Sequence, residues 1–217
     1  MPPVIAIIGR SNAGKTTLLE RLIAELKSRG RRVASVKHDV HGFDIDQPGK
    51  DSYRHAQAGA DAVVISSPDK LALIRHTDHD WDLQEVASLL GEEYDVVLAE
   101  GYKQTAAVKI EVHRKEIGGA LLCRPEELLA VVTDEDLELP VWQYSFDDIA
   151  GVADVVEGEM AEQPPQKTSV RLDSRNLPLS PFVQDIIAST LAGMLSALKG
   201  VEQPGKIEVS VRAEGRQ

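Results

Sequence analysis

The stretch Gly9-Arg10-Ser11-Asn12-Ala13-Gly14-Lys15-Thr16 has the spacing G-x-x-x-x-G-K-[ST], and Thr17 follows it. Each residue type has a task in holding a nucleoside polyphosphate. Gly9 and Gly14 let the backbone wrap closely, so that the N–H groups of Arg10, Ser11, Asn12 and Ala13 and the next helix terminus face phosphate oxygens. Lys15 has the charge and reach for the β- and γ-phosphates, and the Thr16 hydroxyl is a hard ligand for Mg²⁺. The flanks agree with this chemistry. Val4 to Ile8 is an apolar, β-branched run that reads as a buried strand. Thr16 to Arg29 carries Leu18, Leu19, Leu22, Ile23 and Leu26 at helical spacing. The spacing predicts a phosphate-binding loop between a strand and a helix, with a nucleoside phosphate as ligand.

Further residues could complete such a site. Asp44 and Asp46 flank Ile45 in the polar, Gly/Pro-punctuated stretch from His38 to Arg54. In an extended segment both carboxylates face one side, as candidates for Mg²⁺ or for orienting an attacking water. Glu100 follows the apolar strand Tyr94 to Ala99, where a second carboxylate beside the metal belongs. Asp134 follows the strand Leu128 to Thr133, the kind of place from which an aspartate reads guanine, but the full Asn/Thr-Lys-x-Asp form is missing. The residues alone therefore leave both GTP and ATP open. Lys37, His38, Lys50, Arg54 and Lys103 fall in or beside loops leaving strand ends, the edge at which open α/β sheets bind ligands. With Lys109, His113 and Arg114 nearby, this is more positive charge than one nucleotide needs, and it predicts a second anion.

The elements that must position these groups alternate. After the first helix, Val33 to Lys37 reads as a strand. A short helix from Asp51 to Ala58 follows, then a hairpin of Ala62 to Ser66 and Leu71 to Arg75, and a helix from Asp78 to Leu90. Val108 to His113 alternates apolar and polar, as a strand with one wet face does. Pro140 to Trp142 is a short strand, and a helix capped by Ser145 runs to Val156. Strand–helix alternation predicts an α/β three-layer sandwich with a mostly parallel sheet, made mixed by the hairpin. Residues 1–156 form this nucleotide-binding domain, and 157–167 read as a linker. Residues 168–217 form a small α+β unit: a strand from Ser169, an apolar helix after Ser180-Pro181 and a last strand from Lys206 to Val211.

Composition narrows the classes. A net charge of −11 over 217 residues argues against a nucleic-acid partner. Cys123 is the only cysteine, so an internal disulfide and a thiolate metal cluster are excluded. No apolar run reaches membrane-spanning length and no signal-peptide pattern opens the chain, which makes a cytoplasmic protein the expectation.

Taken together, Gly9 to Thr17, Lys37-His38, the run Asp44 to Tyr53, Ala58-Gly59-Ala60, Glu100-Gly101-Tyr102-Lys103 and Lys109 to Arg114 resemble one family. It is the molybdopterin-guanine dinucleotide biosynthesis protein B family, in which the phosphate-loop NTPase fold serves molybdenum cofactor maturation. The resemblance implies GTP, a homodimer and an adaptor role beside the guanylyltransferase that joins GMP to molybdopterin. It also makes molybdopterin the expected second anion, near Lys50, Arg54 and Lys103. With Gln47 as the one glutamine that could position water and no arginine finger in view, Mg²⁺-dependent hydrolysis, with Lys15, Asp44 and Asp46 as its catalytic residues, is expected to be slow. Two alternatives stand beside this reading. One is a metal-inserting GTPase, prompted by six histidines of which His38 and His41 are neighbours, and the other is an ATP-using phosphate-loop enzyme.

Overall fold

An uninterrupted apolar run has no side to give to water, and β1 (Val4–Gly9) is buried at all six positions. A computed structural model describes residues 2–162, 168, 170–172, 175–177, 179–198, 207 and 209. The chain divides into two compact units, Pro2–Gln163 and Pro164–Gln217, the latter grouped with Met1.

In the first unit β1 leads through the loop into α1 (Lys15–Ser28), then β2 (Val33–Lys37), α2 (Asp51–Gln57), β3 (Ala62–Ser66), β4 (Leu71–Arg75) and α3 (Leu83–Leu90). The remaining elements are β5 (Val96–Glu100), β6 (Val108–His113), β7 (Leu128–Thr133), β8 (Trp142–Tyr144) and α4 (Ile149–Glu162). The main sheet has the order β2-β5-β1-β6-β7-β8, and each neighbouring pair is parallel. On one face Ile5, Ile7, Ile110 and Val112 meet Leu18, Leu22 and Leu26 of α1 and Val152, Ala153 and Val156 of α4. On the other, Val4, Val97 and Ala99 meet Leu83 and Ala87 of α3. Helix, sheet and helix make three layers.

Several details differ from the sequence expectation. The hairpin does not make the main sheet mixed; among the described residues β3 and β4 pair only with each other, as a separate two-stranded antiparallel sheet. A two-residue alternation fixes strand type but not the sheet a strand joins. Helix α3 begins at Leu83 rather than Asp78, because Asp82 caps it: the Glu85 N–H donates to Asp82 Oδ1, and Glu85 Oε2 accepts from the Asp82 N–H. Trp81 therefore lies before the helix. Helix α4 starts at Ile149 rather than after Ser145, with the Gly151 N–H donating to Asp148 Oδ1 at 3.0 Å. It also continues to Glu162, taking in residues expected to be linker, since Glu, Met and Ala favour helix until the prolines intervene.

Strand β6 has no wet face. Lys109, Glu111 and His113 are 3%, 2% and 7% exposed. The segment after the strand folds back over them: Glu111 accepts from the Leu122 N–H at 2.7 Å and the Cys123 N–H at 3.2 Å. Lys109 pairs with Glu127 at 3.6 Å, and His113 Nε2 lies 2.7 Å from Glu135.

In the second unit β9 (Val170–Leu172) and β10 (Arg175–Leu177) form an antiparallel pair before α5 (Pro181–Ser196). Ser180 caps α5, its hydroxyl accepting from the Val183 N–H. Along α5 Phe182 is 73% and Met194 65% exposed. Of the strand expected from Lys206 to Val211, only Ile207 and Val209 are among the described residues, and neither is in a strand.

Candidate functional site

The phosphate loop is the turn from β1 into α1. Gly9 has φ of 153°, and a Cβ there would stand 2.5 Å from the Val112 carbonyl of β6, so only glycine lets the first loop residue pass this neighbouring strand. Asn12 turns the loop at φ of 62°, and Ala13 is buried beneath it. Arg10, Ser11, Thr16 and Thr17 are exposed along the rim. The Arg10 guanidinium donates to the Ala120 carbonyl at 3.2 Å, tying the loop to the segment that Glu111 holds. Lys15 Nζ donates to the Arg10 carbonyl at 2.8 Å, folded back over its own loop. Burial lowers the Lys15 pKa; the nearby Glu100 carboxylate opposes that shift and Lys103 adds to it.

Glu100 ends β5, and the parallel register places it beside Ile7 of β1. From there its two carboxylate oxygens accept from the Thr16 hydroxyl at 3.1 and 3.2 Å. A hydroxyl and a carboxylate, both oxygen donors beside a phosphate loop, fit a hard divalent cation such as Mg²⁺. Asp44 and Asp46 are placed differently. Asp44 is exposed, whereas Asp46 Oδ1 accepts from the Gln47 N–H at 2.8 Å and the Ser52 hydroxyl at 3.0 Å, shaping the entry to α2. Neither is hydrogen-bonded to Lys15 or Thr16 among the described residues. The other oxygen of Asp46 is buried with no hydrogen-bond partner.

Asp134 stands beyond β7, on the other side of the loop. It accepts from the Lys115 N–H at 2.8 Å, the main cause of its lowered pKa, and pairs with Arg114 at 3.4 Å. The Arg114 guanidinium lies 3.9 Å from the centre of the Phe146 ring, and both side chains border Gly14. Arg114 was one of many basic residues in the sequence and Phe146 carried no signal at all. Their meeting over the loop depends on β6 and β8 both ending at this edge.

The basic residues expected to share one anion are divided. Lys103 and His38 line one cleft, while Lys50 lines a shallower groove against β3. Arg54 pairs with Asp51 at 3.6 Å. Lys109 and His113 are buried with acidic partners. Among the described residues His38 and His41 share no partner: His38 meets Asp80, and the His41 N–H donates to Asp39.

A parallel sheet with a G-x-x-x-x-G-K-T turn after its central strand, and an acidic residue ending the strand beside it, defines an α/β sandwich of the phosphate-loop NTPase kind. Comparison with known proteins narrows this class. The family described as molybdopterin guanine dinucleotide synthesis protein B matches residues 4–134. A molybdopterin-guanine dinucleotide biosynthesis adapter protein of Escherichia coli (strain K12) is 38% identical over 172 residues, covering 75% of this chain and 96% of that protein. Its namesake from Haemophilus influenzae is 37% identical over 156 residues, 71% of this chain and 88% of the other. A crystal structure of molybdopterin-guanine biosynthesis protein B superimposes with a TM-score of 0.58 at 31% identity, covering 73% of this chain and 99% of that one. The chain belongs to the molybdopterin-guanine dinucleotide synthesis protein B family.

Proposed function

We propose that this protein is a GTP-binding adaptor in molybdopterin-guanine dinucleotide biosynthesis, working in the cytoplasm as a homodimer beside the guanylyltransferase that joins GMP to molybdopterin. The observation that carries the nucleotide half is the contact of Thr16 with Glu100 next to Lys15. It gathers a cation ligand pair and a phosphate-binding charge at the end of one strand pair. The names of the relatives support the adaptor half.

In this reading the phosphates lie on the N–H groups of residues 9–16. Lys15 exchanges its bond to the Arg10 carbonyl for one to the terminal phosphates. Thr16 and Glu100 would hold Mg²⁺, which when bound neutralises charge between the β- and γ-phosphates. Asp134 offers a carboxylate to the guanine edge, with Arg114 and Phe146 flanking the same place. Asp44, Asp46 and Gln47 lie in the loop after β2, where a residue that orients water would have to come from. Since Asp46 shapes the loop itself, slow hydrolysis is the expected rate and delivery of bound nucleotide the main task.

Thermal unfolding with GTP or ATP, each with and without Mg²⁺, tests the nucleotide. GTP alone among the two should raise Tm, and more so with the cation. Steady-state turnover with and without the guanylyltransferase tests the adaptor. No GTP-dependent shift, or rapid turnover that ignores the partner, would overturn this function.

A further inference from the structure

Helix α5 carries large apolar residues on two opposite sides, yet none of its residues is buried. A helix of that kind needs cover on both sides. On one side Gln184, Ile187, Leu191 and Leu195 recur at helical spacing and are half-buried; Gln184 also takes the Thr168 hydroxyl on its carbonyl at 3.0 Å. The opposite side is open. It carries Phe182, 73% exposed, and Ile186, 48% exposed, followed by exposed Gly193 and Ala197. At 3.6 residues per turn these four fall within a sector of about 60°. Asp185, the one charged residue of α5, lies with Ser189 and Ser196 on a polar strip beside them.

The open side has a direction. Its bulk stands in the first half of the helix, at Phe182 and Ile186, and its small residues in the second, at Gly193 and Ala197. Among the described residues no neighbour comes within 4 Å of where a Cβ at Gly193 would be, so the space above it is free. Two copies run antiparallel, about a twofold axis between Ser189 and Thr190, set Phe182 against Ala197 and Ile186 against Gly193. Each bulky side chain then meets a small one, as ridges meet grooves. A twofold contact needs this self-matching, because the same patch serves on both chains. A partner of unrelated sequence places no such demand, and that singles out a second copy as the occupant. Charge agrees with the register. Asp185 falls opposite Met194 of the other copy, nine residues from its own counterpart, so the two like charges stand about 13 Å apart along the helix.

We propose that α5 pairs antiparallel with α5 of a second copy of this chain, through Phe182, Ile186, Gly193 and Ala197. The contact lies outside residues 4–134, where the family match lies, and so ties two chains together at a place of its own. A strip about 24 Å long and 10 Å wide is small beside a standard interface of about 1,200–2,000 Å². The strength of the pair therefore rests on the homodimer proposed above, whose other contacts hold the two helices at high effective concentration. Its register does not rest on that reading, since the order of bulky and small residues along α5 sets it.

The test uses the full chain carrying Cys123→Ser, which removes its one native thiol. With both Ile186→Cys and Gly193→Cys added, oxidation by diamide should give a disulfide-linked dimer, and peptide mapping should find position 186 joined to position 193. Either change alone should give none. In the antiparallel register position 186 stands seven residues, about 10 Å, from its own counterpart, beyond the roughly 4.4–6.8 Å between Cα atoms that a disulfide spans. A second measurement leaves the cysteines out. Gly193→Leu fills the place that receives Ile186 and should weaken the dimer about tenfold or more in sedimentation equilibrium. Leucine favours helix more than glycine, so circular dichroism should match the parent. Adding Ile186→Ala should recover part of the loss. Linking by Ile186→Cys alone means a parallel pair and overturns the proposal. So does an unlinked double variant, and if that chain still sediments as a dimer the homodimer reading survives without α5. Dimerisation of Gly193→Leu at parental strength overturns the proposal as well, and a parent that stays monomeric at every concentration removes both.

Discussion

The Lys15 ammonium is held against a backbone carbonyl, in a place where burial already works against its proton. An arriving polyphosphate offers that ammonium a full negative partner, so most of the loop's selectivity for anions should reside there. Lys15→Ala is expected to abolish the GTP-induced rise in Tm while the ligand-free protein unfolds as the parent does. In the parent, GTP at a hundredfold excess over Kd should add about 2.7 kcal/mol, which calorimetry resolves easily. Thr16→Ala and Glu100→Gln remove the two proposed cation ligands, so the shift with GTP should persist but lose its dependence on Mg²⁺. Asp134→Asn keeps the shape that bonds the Lys115 N–H but loses the charge, and should weaken GTP by a charged hydrogen bond, about 1.5–3 kcal/mol. Isothermal titration that finds GTP unaffected would remove Asp134 from the base site. Loss of turnover at little cost in affinity is expected for Asp44→Asn and Asp46→Asn if the loop after β2 orients water, and full turnover in both would show it does not.

At the scale of elements, β6 is tied to the phosphate loop through the segment that follows it. Its polar row is roofed by the segment after it, with Glu111 gripping two backbone N–H groups there. Arg10 reaches the same segment from the phosphate loop. Burial, only partly offset by those N–H donors, raises the Glu111 pKa. A carboxyl whose folded pKa is raised favours the folded state below its ordinary value near 4.3, and that contribution is lost as pH climbs through the raised one. The parent's Tm relative to Glu111→Gln should therefore fall as pH increases from the ordinary glutamate range, then level off. A constant difference across that range would show that Glu111 does not titrate there. For α3, Asp82→Ala removes the side-chain acceptor of the Glu85 N–H while keeping the backbone bond to Glu85, and should destabilise the first unit by about 0.5–2 kcal/mol in urea unfolding.

For the whole molecule, the two units are unequal. The sheet, its two cores and the phosphate loop all fall within Pro2–Gln163. The second unit carries exposed apolar residues along α5, including Phe182, Ile186 and Met194. A stripe of that kind favours burial against another surface. A chain ending at Gln163 should keep its GTP response yet change in sedimentation coefficient or solubility. Sedimentation and solubility unchanged from the parent would exclude a docking or dimer-supporting role for α5.

The sequence by itself determined the phosphate loop, because Gly9 to Thr16 act as neighbours and their spacing alone sets the geometry. It determined that Glu100 ends a buried strand, since an apolar run closed by an acid and a glycine is a local pattern. It also determined the α/β class and, through several motifs together, the family. Tertiary structure decided the rest. Only the order of strands in the sheet brings Glu100 to Thr16, 84 residues away, within hydrogen-bond distance. Alternation in β6 looked like a wet face because it records polarity, not cover, and the cover comes from a segment folding back in three dimensions. Trp81 read as part of a helix face until Asp82 took the cap. Its wall of the cleft, like that of His38 and Tyr102, arises where β2, β5 and the entry to α3 converge. Residues from three separate segments leave no spacing in the chain by which that convergence could be read.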